Sequence, residues 1–155
     1  MVRFGEEYGS RAKNLEILSL PMTIFHMKSF LHVGCGHATK ADVIGHFQTE
    51  EWREIRFDID AAVKPDVVGS ITDMSAVSSE SVDAVYSANN LEHLYAHEVD
   101  GSLKEFLRVL QPAGFAVITC PDLQAVCARV AEGMLLEPAY SSRAGPIAAV
   151  DMIYG

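Results

Sequence analysis

The sequence predicts an α/β domain built on a mostly parallel sheet of about five strands. Three observations carry that expectation. Short apolar, β-prone runs recur along the chain, a helical stripe separates the last two of them, and polar clusters of Gly, Asp, Asn and His stand where strands end. Right-handed crossovers between parallel strands bring those ends to one edge of the sheet, where ligands bind.

The first strand is "FLHV", 30–33, which stops at Gly34. The second is "EIRFDI", 54–59, where Ile55, Phe57 and Ile59 alternate with Arg56 and Asp58. A short third candidate is "DVVGS", 66–70, and a better defined fourth is "SVDAVYSA", 81–88, which stops at two asparagines. The fifth, "GFAVITC", 114–120, is the most apolar and ends at Pro121, as suits a strand covered on both faces. The clearest helix is "HEVDGSLKEFLRVL", 97–110, because Val99, Leu103, Phe106, Leu107 and Leu110 form one stripe. "QPAG" stops it. A second helix is expected from an Asp122 cap to Gly133, and a short or irregular one between Gly36 and Trp52, where Gly45 breaks a weak stripe.

The 155 residues suit one domain: an N-terminal segment 1–28, a core 29–122, and a C-terminal helix and tail 123–155. That tail is rich in Pro and Gly and shows no convincing strand. Met22, Phe25 and Met27 read as core or a lid. Acidic residues and Pro21 spoil any signal-peptide order, and the apolar run beside them is too short for a bilayer, so no membrane association is expected. A net charge of −9 disfavours a nucleic-acid partner. Three cysteines with no CxxC pair point to a reducing cytoplasm.

Each strand end carries a possible chemistry beside a plainer role. Gly34 and Gly36 allow a sharp turn and the close approach of a ligand, or form only a strand-to-helix turn. Asp58, with Asp60 as the alternative, can accept ribose hydroxyls or be solvated loop charge. Asp73 can take a hydrogen bond from an exocyclic amine or cap a turn. His93 is a candidate general base, since histidine as a residue type titrates near neutrality, or it caps and packs the next helix. His32, Cys35, His37 and His46 lack the regular spacing of a structural zinc site, so no metal is expected. Cys35 has no adjacent base that would make it a nucleophile.

Taken together, "FLHVGCGHA", "FDID", "ITDM", "VDAVYSANNLEHL" and "RVLQPAGFAVITCPD" stand in an order and at spacings that resemble the class I S-adenosylmethionine-dependent methyltransferases. The resemblance covers about residues 30–122. It implies a three-layer Rossmann-like sheet with strand order 3-2-1-4-5, and S-adenosylmethionine as cofactor with S-adenosylhomocysteine as product. His32, Gly34, Cys35 and Gly36 would then meet its methionine part, Asp58 and Ile59 its ribose, and Asp73 and Met74 its adenine. Asn89 would line the donor pocket, with Asn90 and His93 as catalytic candidates.

The chain departs from the family pattern at His32, where an acidic residue is usual, at Ala38 for a third glycine, and at Ala113 for the first glycine of "PGG". Members of the family usually have seven strands, so a five-stranded chain would leave its apolar fifth strand as an edge. An incomplete C-terminus or a homodimer would cover it. The implied activity is methyl transfer to an unknown acceptor. The alternatives are a non-catalytic domain of the same fold and a nicotinamide-dependent oxidoreductase, and "SANNLEHL" argues against the latter.

Overall fold

The structure, a computed structural model, describes residues 27–142 and 145–154. Strands β1 (Lys28–Val33), β2 (Trp52–Asp58), β3 (Val67–Val68), β4 (Val82–Ala88) and β5 (Leu110–Thr119) form one sheet in the order β3-β2-β1-β4-β5. Every pairing is parallel, with Leu31 opposite Ile55 and Val85, so all C-terminal strand ends lie on one edge. This is the order that the sequence motifs implied.

β1 runs through the middle of the sheet, which explains its continuous apolar character. Leu31 and Val33 enter one core with Phe57, Val85, Phe106 and Val109. Phe30 faces the opposite core with Phe47, Trp52 and Tyr86. Helix α1 (Ala96–Val109) covers the first face. Its buried residues are Ser102, Phe106 and Val109, whereas Leu107 is 71% exposed, so the helix is rotated from the stripe that the apolar spacing suggested.

The second face is covered differently. The short or irregular helix expected between residues 36 and 52 is a single 3-10 turn, Gly45–Gln48. Phe47 of that turn stacks on Phe30 with ring centroids 4.5 Å apart and meets Trp52 edge-on at 5.0 Å. Burying such a ring contributes about 1.5–3 kcal/mol, so one aromatic cluster can seal a face that a helix would otherwise cover.

Two expectations are corrected at the C-terminal side. β5 is mostly exposed or half-buried instead of covered on both faces, because it pairs only with β4 and among the described residues stands at the sheet edge. The helix ends just before "QPAG", as expected, and "QPAG" itself lies inside β5, where the register with β4 shifts between Val82 and Ala84. The tail, read as strandless, forms an antiparallel pair, β6 (Pro138–Ser142) and β7 (Gly145–Ala148), followed by α3 (Ala149–Tyr154). Proline breaks a central strand but is tolerated in a two-stranded ribbon, where one side of each strand needs no partner. Between β5 and this pair lies α2 (Leu123–Ala131), whose N-terminus Asp122 caps as expected, accepting from Gln124 N at 3.0 Å and Ala125 N at 3.2 Å. Of the Met22, Phe25 and Met27 group, the first two lie outside the described residues and Met27 is exposed.

Candidate functional site

The strand ends of β1, β2 and β4 build one cleft. β1 leaves the sheet at Gly34 and Gly36, both left-handed, with φ of +64° and +50°. At Gly34 a second constraint applies, since a Cβ there would lie 2.5 Å from Asn90 Cγ. The glycine therefore lets the segment after β4 close directly on the turn after β1.

Asp58, buried at the end of β2, holds that turn in place. Its Oδ2 accepts from Gly36 N at 2.7 Å and its Oδ1 accepts from Asp60 N at 2.9 Å. A carboxylate has about four acceptor positions, so capacity is left for ligand hydroxyls. Arg56 ties the same turn from the other side. Its Nε donates to Ala38 O at 3.2 Å, one guanidinium nitrogen donates to Gly36 O, and the other to Lys64 O at 2.9 Å.

His32 is buried in β1, and its Nδ1 stands 2.7 Å from Glu54 Oε1. Glu54 Oε2 accepts from Lys40 N at 2.8 Å. The carboxylate that braces the loop after the glycines thus comes from β2, and His32 joins β1 to it. Neither His32 nor Glu54 lines the cleft itself.

After β4 the backbone is again left-handed at Asn89, with φ of +49°. Asn90 follows against Gly34, and its Nδ2 is shut off from solvent without a hydrogen-bond partner. A buried amide of this kind costs about 1–3 kcal/mol unless something accepts its hydrogen bond.

The cleft enclosed by these segments is about 370 Å3 in volume, which is within the range of small-ligand sites. Of the candidate residues it brings together Gly34, Gly36, Asp58 and Ile59, and from the far wall Asn89, Asn90 and His93. Sequence reasoning missed Gly69, Ser70 and Ile71 beyond β3, and Leu94; the stop of a strand at "GS" is the signal that pointed toward the first two. Asp73 is exposed and outside the lining. Its Oδ1 accepts from Ser75 N at 3.1 Å, and the Ser75 side chain and backbone hold its carboxyl below the usual range. Met74 is fully buried in the core against Phe57 and Phe106.

Cys35 is buried beside the cleft, and burial pushes its thiol pKa up, which disfavours a thiolate. His32 is engaged by Glu54, while His46 lies against Phe47, Trp52 and Phe115. Among the described residues no three His, Cys, Asp or Glu side chains are grouped to hold a metal. Nor, among the described residues, is any helix long and apolar enough to cross a membrane.

A second cleft of about 440 Å3 adjoins the first and shares Asn89 and His93 with it. Its outer wall comes from β6, β7 and α3.

A family model described as a methyltransferase domain matches residues 31–118. Among solved structures, the chain is similar to the PH0226 protein of Pyrococcus horikoshii OT3, at 19% identity and a TM-score of 0.56, over 70% of this chain and 53% of that one. It is also similar to a SAM dependent methyltransferase of Archaeoglobus fulgidus, at 21% identity and a TM-score of 0.50, over 63% of this chain and 46% of that one. The chain therefore spans about half the length of these structures, and at such identities the likeness shows the fold alone. No curated protein matches the sequence.

Proposed function

The chain belongs to the methyltransferase domain family, and from that premise we propose that it binds S-adenosylmethionine in the cleft at the ends of β1, β2 and β4 and transfers the methyl group to an acceptor. The observation that carries this reading is the closure of Asn90 on Gly34 beside Asp58. It joins a glycine turn, a carboxylate with spare acceptor positions and an unpaired buried amide in one pocket.

The residues fit such a ligand. Asp58 would take the ribose hydroxyls, Asn90 Nδ2 would donate to a polar group of the ligand, and Phe57, Ile71 and Leu94 offer apolar surface for a flat ring. The methionine part would lie along Gly34 and Gly36. His32 and Cys35 support this wall from within, and Asp73 and Met74 support the turn beneath the adenine end. When bound, the cofactor supplies a methyl group on a sulfonium that is already an activated leaving group. Positioning alone can then provide roughly 7–11 kcal/mol, so the chain needs no catalytic triad. His93 and Asn90, which line the cleft, are the residues that would orient the acceptor and move its proton.

Three cysteines without a disulfide suit a reducing cytoplasm as the setting. A second copy covering the exposed edge of β5 is part of the proposal, and light scattering that returns a monomer mass would remove it.

Calorimetry with S-adenosylmethionine, S-adenosylhomocysteine and NAD tests the main reading. Heat is expected with the first two and none with the third. Silence with both sulfur ligands would sink it.

A further inference from the structure

We propose that the second cleft is the acceptor site, and that the acceptor it takes is a cationic amine carried on an aromatic or apolar body. This deepens the S-adenosylmethionine reading and rests on it. The two clefts meet at Asn89 and His93, so a molecule seated in the second one abuts the transfer end of the first. Its volume of about 440 Å3 is within the range of small-ligand sites.

The lining sets the sign of charge. Glu92 and Asp151 face it, and no Lys or Arg does among the described residues. An anionic acceptor would meet like charge there and lose hydration, whereas a cation gains from both carboxylates. Asp151 spends one oxygen, Oδ2, on Ala148 N at 2.8 Å, which fixes the side chain at the start of α3.

The remaining walls suit the body of such a ligand. Tyr140 and Tyr154 present exposed rings, and an ammonium is attracted to the negative face of an aromatic ring. Ile147 and Met152 add apolar surface.

Transfer to an amine requires its lone pair. The nitrogen would bond the methyl carbon as the carbon–sulfur bond breaks with its electrons left on sulfur, and before that the ammonium must give up a proton. His93, on the wall common to both clefts, is the base placed to receive it.

The test titrates 2-phenylethylamine, the neutral 2-phenylethanol and the anionic 3-phenylpropanoate into the protein, with and without S-adenosylhomocysteine. The amine is expected to bind at least tenfold more tightly than the alcohol, with the carboxylate weakest. In the double variant Glu92→Gln, Asp151→Asn that preference should fall to within about threefold. Asparagine keeps an oxygen for Ala148 N, and neither residue lines the first cleft, so unchanged S-adenosylhomocysteine affinity reports an intact fold. Equal binding of amine and alcohol, or a preference that survives the double variant, overturns the amine site while leaving the donor reading in place. Absence of S-adenosylhomocysteine binding overturns the donor reading, and the acceptor role with it, even where the amine preference holds.

Discussion

Gly34 and Asp58 are the residues on which the cleft turns. Gly34→Ala forces a Cβ to within 2.5 Å of Asn90 Cγ at a left-handed φ, where the backbone penalty alone is about 1–2 kcal/mol. We expect a lower urea midpoint and loss of S-adenosylhomocysteine binding, both measurable on one purified variant. Asp58→Asn keeps one acceptor and removes the charge that holds Gly36 N and Asp60 N. A hydrogen bond to a charged group contributes about 2 kcal/mol, so binding measured by calorimetry should weaken roughly thirtyfold. Unchanged affinity would separate Asp58 from the ligand. The sequence made both residues legible, because glycine and aspartate at strand ends have few roles. It did not make Arg56 legible: as the polar member of an alternation it looks like surface, and only the fold shows it donating to carbonyls of the glycine turn and of the loop after β2.

Among the elements, α1 is fastened to the turn at residues 74–77 by Arg108 as well as to the sheet by its apolar face. Arg108 donates to Met74 O at 2.8 Å and Val77 O at 2.9 Å and pairs with Glu105, which also accepts from Met74 N at 3.0 Å. The Arg108 hydrogen bond, the largest influence, holds the Glu105 carboxyl below its ordinary value of 4.5. A carboxyl depressed in the folded state adds stability above its unfolded pKa and gives it up as pH falls through the lower folded value. Urea midpoints should therefore drop between pH 5 and pH 3 more steeply in the native protein than in Glu105→Gln; parallel curves would remove the link. Element boundaries were less legible than residues. Spacing predicts a stripe on α1 that includes Leu107, yet Ser102 is buried and Leu107 exposed, because neighbouring strands and the turn at residues 74–77 decide which side of an amphipathic helix docks. In the tail, proline and glycine concealed β6 and β7, since local propensity carries no information about whether a ribbon needs both sides of a strand paired.

Over the whole molecule, a ligand that binds only the folded state stabilises it by mass action. At a hundred times its dissociation constant, S-adenosylhomocysteine should add about 2.7 kcal/mol, a rise in Tm of about 5–10 °C by differential scanning fluorimetry. No shift at saturating concentration would contradict the proposed cleft. The sequence by itself determined the parallel sheet and the glycine and acidic strand ends, because periodicity and turn chemistry are local properties; the strand order followed only from the resemblance of its motifs to a known family. Only the tertiary structure decided that His32 pairs with Glu54, that Asn90 closes on Gly34, and that β6, β7 and α3 add a second, acidic cleft. Those contacts join residues far apart in the chain. Burial, hydrogen-bond partners and shared walls depend on which segments pack together, and that is not written in any one stretch of sequence.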